Sequence, residues 1–305
     1  MVKNADNALR FVQFMHPGDE HRPDDGYFKS WNRCKHKRKF LVSPGLCIRP
    51  PSKKAAAVRW EKKRGELVFW GEWEPESEVV CRIARPKSHY PRYVYRPFYV
   101  VPDCYNGLQN TDPFVFGAFL YGNCLQHRKG GPTELCNLKK GSVIVFGSCL
   151  SDEFVLDTVF VVGDSIPYDC PSYRSVLKGC VPPAYMDVVL KPLFQSGCGH
   201  REGCSPDKGD PYRLYIAATS DKPIDGMFSF FPCMPRDERC ERFGRPVINL
   251  RGFINGSLRQ GFSLNRQVDR TKIHQLWRSV VKQVLAQGLW LGIEAEMLER
   301  RGAKR

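Results

Sequence analysis

Two long stretches of the sequence contain no aspartate or glutamate. Residues 26–60 carry ten lysines and arginines, and residues 79–102 carry five more. These fifteen cations equal the net charge of +15, so the rest of the chain is balanced at 32 basic and 32 acidic residues. A charge excess confined to two windows is typical of a face that binds a polyanion. The second window also interleaves tyrosines with arginines, and rings can stack on unpaired bases while arginines bind phosphates. We therefore expect nucleic acid as the partner.

Long hydrophobic runs are missing as well. No apolar run approaches the ~18–20 residues that a membrane-spanning helix needs, which argues against an integral membrane protein. The amino-terminal segment has no apolar run of the length that a secretory signal needs. The 13 cysteines are an odd number, scattered along the chain. Without an export signal, this pattern predicts reduced thiols in a cytoplasmic protein.

Several common enzyme motifs are absent. The sequence has neither GxGxxG nor GxxxxGK[ST], which counts against kinases, ATPases and dehydrogenases. It also lacks the H-x-E and P-C-x-x-C combination of zinc deaminases. Cys198, His200 and Cys204 form a C-x-H-x₃-C trio, but structural zinc usually shows a second close pair, so metal binding there is left open. We expect no cofactor.

The pattern of apolar residues predicts strands joined by loops, because short apolar stretches alternate with glycine and proline. The predicted strands are residues 10–15, 66–73, 97–101, 142–146, 158–162, 213–217, 227–231 and 247–250. Residues 163–209 read as loops. One amphipathic helix is predicted from Ile273 to Leu289, with Asp269 or Thr271 as its N-cap. Strands followed by one dominant helix favour an α+β fold in a single domain of residues 1–305, with residues 266–305 as a carboxy-terminal helix packed on the core.

Three segments carry candidate acids and bases. In residues 15–22, His16 and His21 flank two carboxylates directly after a predicted strand, where a rigid scaffold can aim catalytic side chains. Glu72 lies beside tryptophans, which can raise the pKa of a carboxyl group for general acid/base work. Asp112 can activate a water. The respective alternatives are a solvated turn, an edge strand with exposed glutamates and a simple turn before Pro113.

The same segments, with residues 226–232 and 252–262, supply side chains that can hold a base, because rings stack on it and amides read its edge. The predicted base-binding residues are Trp70, Trp73, Asn110, Phe114, Gln126 and Asn255. The predicted contacts to the nucleic-acid backbone are Lys35, Lys37, Arg38, Lys39, Arg92, Arg96 and Arg259. The alternatives are an ordinary core for the rings and a solvated face for the cations.

A resemblance to a known fold rests on two stretches. Residues 139–147 (KKGSVIVFG) followed by 155–162 (VLDTVFVV) resemble the central hairpin of PUA-like barrels, the EVE, ASCH and YTH group, and residues 70–74 resemble an earlier strand of that barrel. The resemblance spans residues 65–165 and implies an aromatic-lined pocket that accepts a modified base flipped from RNA or DNA. In overall character the chain is also similar to bacterial proteins associated with modified phage DNA, including glycosylases. It shows neither a helix-hairpin-helix ending in Gly and Asp nor the uracil-glycosylase signature.

Together these features predict a DNA-binding, base-flipping hydrolase, namely a glycosylase that cleaves the N-glycosidic bond of a modified base in antiviral defence. In this hypothesis Asp112 activates water or stabilises the sugar cation, His16 or His21 assists the leaving base, and Glu72 is a second acid/base group. The alternatives are a non-catalytic PUA-like reader of modified bases in DNA or RNA, and a structural protein whose basic face binds any polyanion. The enzyme hypothesis requires that loops distant in the sequence meet at one site.

Overall fold

The computed structural model describes residues 8–23, 38–51, 60–84, 89–101, 112–129, 131–195, 211–236 and 242–302. The fold is α+β, with a strand-rich core of mixed sheets and few helices. The strands are β1 (Phe11–His16), β2 (Lys39–Arg49), β3 (Glu61–Gly71), β4 (Ser77–Arg82), β5 (Tyr93–Pro97), β6 (Tyr99–Val100), β7 (Leu120–Tyr121), β8 (His127–Arg128), β9 (Gly131–Pro132), β10 (Val143–Leu150), β11 (Glu153–Tyr168), β12 (Tyr212–Ala217), β13 (Phe231–Pro235), β14 (Gly261–Asn265), β15 (Trp290–Ala295) and β16 (Arg300–Arg301). The helices are α1 (Tyr173–Val176), α2 (Pro183–Tyr185), α3 (Lys191–Gln195) and α4 (Arg270–Ala286), with a 3₁₀ turn at Glu134–Asn137 and a π turn at Met186–Leu190.

The first large sheet has the strand order β14-β1-β10-β11-β12-β7. β1 is parallel to β10 and antiparallel to β14, which makes the sheet mixed. All of β1 and the first six residues of β10 are buried, as expected for apolar strands that are covered on both faces. His16 and Ser148 are register partners, so both lie at the same end of this buried pair.

A β-bulge in the first sheet sets the position of Asp157. Phe146 pairs with Thr158, whereas Gly147 pairs with Leu156, so Asp157 is the extra residue on β11. A bulge of this kind breaks the alternation of side chains along a strand and turns one of them in a new direction. The Ser148 hydroxyl donates to the buried Asp157 carboxylate across 3.4 Å. The bulge therefore brings a carboxylate to the end of the sheet that carries His16.

The second large sheet has the strand order β15-β13-β3-β2-β5-β4, and β15 also pairs with β2. Strands β2, β3, β13 and β15 consequently form a closed ring. The two sheets meet where Val159 of β11 exchanges backbone hydrogen bonds with Phe230, the residue before β13. β3 ends at Gly71, so Glu72 and Glu74 follow directly where the chain leaves the sheet.

Many of the predicted elements are confirmed. β1, β3, β10, β11 and β12 overlap the predicted strands at those positions, and β10 pairs antiparallel with β11 as a hairpin. Of the predicted strand 97–101, Pro97 ends β5, and Tyr99 and Val100 form β6. Helix α4 buries the predicted apolar stripe, and the Asp269 carboxylate caps it by accepting the Lys272 N–H at 2.7 Å. Within the described residues, no helix is long and apolar enough to cross a membrane.

Four predictions about elements are wrong. The carboxy-terminal helix does not extend over residues 266–305, because α4 ends at Ala286 and the strands β15 and β16 follow it. Residues 247–250 form only one isolated bridge, between Val247 and Val155, and only Phe231 of residues 227–231 lies in a named strand. The predicted loops of residues 163–209 are wrong in part, because β11 continues to Tyr168 and residues 183–195 are helical. Residues 196–209 lie outside the described part of the chain. Pro183 occupies the first helical turn, where a missing N–H costs nothing. Neither element shows a regular apolar period in the sequence, because β11 contains polar residues and the helical stretch contains Pro192.

Candidate functional site

A cluster of charged side chains is buried where the ends of the two large sheets meet. The Nδ1 atom of His16, at the end of β1, lies 3.4 Å from Oε1 of Glu72, which follows β3. Arg38, directly before β2, pairs with both Glu72 and Glu74. None of these four residues is more than 5% exposed. The cluster thus joins side chains from both sheets in a single ion-pair network.

The electrostatics of the network favour charged forms. Burial alone would lower the pKa of His16, but the Glu72 carboxylate and the Cys124 thiol raise it to about 10. Burial alone would raise the pKa of Glu72, but Arg38 and His16 hold it below its ordinary value. At neutral pH His16 is therefore an imidazolium facing a carboxylate, a state that their mutual attraction stabilises.

A second part of the cluster centres on Arg245. Its guanidinium donates to Asp157 at 2.7 Å and also to Ser148. It lies over the Trp70 ring, 3.9 Å from the ring centroid, in a cation–π contact. Burial raises the pKa of Asp157 to about 6 although the Arg245 charge opposes that shift. Trp70 is thus covered by an arginine on one face.

A third part consists of Asp112 and the turn after β7. The Asp112 carboxylate accepts N–H groups from Asn123 at 2.8 Å, from Cys124 at 2.9 Å and from Gly122 at 3.3 Å. Burial raises the pKa of Asp112, although these three donors oppose the shift. Gly122 is packed so closely that an added Cβ would lie 2.1 Å from the Tyr185 hydroxyl. The anchored turn places Cys124 Sγ 4.0 Å from His16 Nε2.

Several buried polar atoms in and beside the cluster have no hydrogen-bond partner among the described residues. They include Arg38 Nη2, Trp70 Nε1, Arg245 Nε and both polar atoms of the Asn123 side chain. Native proteins satisfy most buried polar groups, so these atoms are available for hydrogen bonds to water or to a polar ligand.

The structure brings together three of the four predicted catalytic residues. His16 and Glu72 are in direct contact, and Asp112 holds the turn that carries Cys124 to His16. His21 lies beside the cluster. Its backbone N–H donates to the Arg38 carbonyl, and its ring stacks on the Tyr95 ring. The convergence of distant loops is thus found, but at a buried cluster.

Two predicted backbone contacts and one predicted base contact are wrong. Arg38 and Lys39 are at most 2% exposed and cannot contact a phosphate in this structure. Their window lacks acids in the sequence, but Glu72 and Glu74 reach Arg38 from β3, and the Lys39 ammonium donates to the Pro75 carbonyl at 2.5 Å. The Gln126 amide cannot read a base edge, because it donates to the Arg213 carbonyl and accepts the Arg213 N–H.

The other predicted residues are placed as follows. Trp73 and Phe114 are core side chains, with ring centroids 6.3 Å apart. Arg92, Arg259 and Asn255 are exposed, whereas Arg96 pairs with Glu66 at 2.6 Å. The residues that lie outside the described part of the chain are Lys35, Lys37, Asn110, Cys198, His200 and Cys204.

Sequence reasoning missed three members of the cluster. Asp157 has a signal, since it is the only charged residue in the apolar run VLDTVFVV. Cys124 and Arg245 have no such signal in the sequence. The turn after β7 brings Cys124 to the cluster, and the segment before residue 247 brings Arg245 there. Among the described residues, no group of three or more His, Cys, Asp and Glu side chains is arranged to hold a metal ion.

Comparisons with protein-family models, with curated proteins and with solved structures find no match.

Proposed function

We propose that this protein binds nucleic acid, with DNA favoured over RNA, and hydrolyses the N-glycosidic bond of a modified base that enters the buried cluster. The observation that carries this proposal is the meeting of His16, Glu72 and Asp112, which come from three separate segments of the chain. The unpartnered donors around them supply the polar contacts that a base needs.

Each residue of the cluster has a distinct task in this reaction. The His16 imidazolium donates its proton to the departing base, and the Glu72 carboxylate stabilises the positive charge that develops on the sugar. Water then adds to the sugar cation, and the proton that it releases returns to His16. The oxygens of Asp112 accept three backbone N–H groups. We therefore assign Asp112 to positioning of the turn and not to activation of water.

Access to the cluster requires a conformational step. His16 and Glu72 are at most 5% exposed, so a base reaches them only when the side chains covering them move. Outside the cluster, Arg82 and Arg92 are exposed, and Arg82 lies over the Tyr93 ring at 5.9 Å. These cations from the second acid-free window support contact with a polyanion.

Strand-cleavage assays test the proposal. The protein is incubated with oligonucleotides that carry a panel of modified bases, and alkali then breaks the strand wherever a base has been removed. We expect breaks with at least one modified base, reduced about 100-fold or more in Glu72→Gln. The control Glu61→Gln changes an exposed glutamate paired with Arg49 and retains full activity. Intact strands across the panel overturn the hydrolase proposal.

A non-catalytic reader of modified bases is the second candidate. It is favoured by the internal pairing of the cluster carboxylates, since Glu72 meets Arg38 and His16 while Asp112 meets backbone donors. A reader binds one modified oligonucleotide selectively, breaks no strand, and keeps its selectivity in Glu72→Gln. A defensive role against phages with modified DNA depends on such selectivity in either case.

A further inference from the structure

A thiol, an imidazole and a carboxylate lie in a row in the buried cluster. Cys124 Sγ is 4.0 Å from His16 Nε2, and His16 Nδ1 is 3.4 Å from Glu72 Oε1. The two ring nitrogens thus face different partners. This is the order of groups in nucleophilic triads, in which the carboxylate orients the base and the base activates the nucleophile.

We propose that Cys124 is a catalytic nucleophile, activated by His16 and oriented through Glu72, that attacks the acyl carbon of an ester or amide. This inference goes beyond the proposed function, in which Cys124 has no part, although it uses the same cluster.

The turn that carries the thiol is built for positioning. Three consecutive N–H groups, including that of Cys124 itself, are held by the Asp112 carboxylate. Gly122 packs against the Tyr185 hydroxyl with no room for a side chain. A cysteine that only fills space needs neither constraint, whereas a nucleophile must be held to within a fraction of an ångström of its base.

The neighbour of Cys124 offers a second, independent observation. Asn123 is 5% exposed, and neither its amide nitrogen nor its oxygen has a hydrogen-bond partner among the described residues. A buried amide of this kind costs free energy unless something binds it. Its N–H group, next to the thiol in the chain, is the candidate donor for the oxygen that becomes negative when sulfur attacks an acyl carbon.

The reaction balances with water as the only co-reactant. In the resting pair the proton is on Nε2 of His16 and Cys124 is a thiolate, so Sγ bonds to the acyl carbon and the leaving group departs with the proton from Nε2. Water then attacks the thioester carbon and gives a proton to Nε2, and the C–S electron pair returns to sulfur, which restores the thiolate and the imidazolium. The products are a carboxylic acid and the alcohol or amine. The raised pKa of His16, about 10, is consistent with a proton that resides on the ring.

The ester p-nitrophenyl acetate tests the inference on the full chain. We expect a burst of about one equivalent of p-nitrophenolate and an acetyl group on Cys124, located by peptide mass spectrometry. Cys124→Ser removes the burst, while Cys180→Ala, at an exposed cysteine, retains it. His16→Gln slows acetylation of Cys124 at least about tenfold. Circular dichroism establishes that each variant is folded.

Two outcomes overturn the inference, and neither depends on a variant that fails to fold. One is acetylation of exposed cysteines in the wild-type protein while Cys124 stays unmodified. The other is acetylation of Cys124 at the same rate in the wild type and in folded His16→Gln or in the double variant His16→Gln/Glu72→Gln. The burst and the strand-cleavage assay are separate readouts of the wild-type protein, so failure of one proposal is distinguishable from failure of the other.

Discussion

Glu72 is the residue on which the buried charges depend most. It pairs with Arg38 and lies 3.4 Å from His16, and it is only 4% exposed. Taking three charges out of water is costly, and the cost is offset only while every charge has a partner. Loss of this carboxylate leaves the His16 imidazolium without its counter-ion and Arg38 with Glu74 alone.

Substitution of Glu72 therefore affects stability as well as activity. Glu72→Gln is nearly the same shape without the charge, and we expect it to lower the free energy of unfolding by about 3 kcal/mol. Urea unfolding at pH 7 measures the change. Glu61→Gln, whose pair with Arg49 is exposed, leaves the unfolding midpoint where it is. An unaltered midpoint in Glu72→Gln would show that the ion pairs contribute nothing.

Only part of this site is predictable from the residue types in the sequence. His16 and Glu72 are predictable because a histidine or carboxylate at the end of an apolar strand is an unusual neighbour, and Asp112 because its segment is dense in polar and aromatic residues. The burial of Arg38 is not, because its acidic partners stand more than thirty positions away and reach it only through the β2–β3 pairing. Counting charges along the sequence therefore does not reveal ion pairs between residues that only the folded sheet brings together.

At the scale of the element, the Gln126 side chain extends the edge of a sheet. β7 pairs with β12 only at Tyr215 and Ile216. Beyond that point the Gln126 amide takes over, because it donates to the Arg213 carbonyl at 2.7 Å and accepts the Arg213 N–H at 2.8 Å. One side chain thus satisfies two backbone groups that the short strand β7 does not reach.

Replacing this amide exposes its structural role. Gln126→Leu keeps the volume but leaves the Arg213 N–H and carbonyl without these hydrogen bonds, so we expect a loss of about 2 kcal/mol in the free energy of unfolding. Asn255→Leu, at an exposed position, serves as the control and changes the unfolding midpoint little. An unfolding midpoint of Gln126→Leu equal to that of the wild type would contradict this structural role.

Helices and strands were predictable where the apolar residues kept one pattern along the whole element. The apolar stripe and Asp269 cap predicted α4, and continuous apolar runs predicted β1 and β10. The second half of β11 contains Gly163, Asp164 and Ser165, which interrupt the apolar pattern. There the register with β12 shifts between Val162 and Asp164. This part of β11 has no apolar face, and its backbone pairing with β12 keeps it in a strand.

At the scale of the whole molecule, the exposed cations of the second window should govern binding of nucleic acid. Arg92→Ala removes one exposed charge, and we expect the slope of log affinity against log salt for duplex DNA to become shallower by about 0.9. Lys282→Ala, on the exposed face of α4, leaves the slope unchanged. Titrations at several salt concentrations measure both. Equal slopes for the wild type, Arg92→Ala and Lys282→Ala would show that Arg92 does not contact the DNA.

The ion pair between the sheets also links stability to pH. The pKa of His16 is raised in the folded protein from 6.5 to about 10, so the folded state keeps a proton that the unfolded state releases in this range. The stability contributed by His16 is therefore fully present below about pH 6.5 and is lost as the pH rises through about 10. Between these limits the wild type should lose more stability than His16→Gln.

The central claim is that two sheets deliver His16 and Glu72 to one buried ion pair. The most direct test is an NMR titration of the His16 ring in ¹⁵N-labelled protein, with the signal assigned by its absence in His16→Gln. We expect both ring nitrogens to stay protonated at pH 8 and the ring to titrate near pH 10. A ring that titrates near its ordinary value of 6.5 would contradict it.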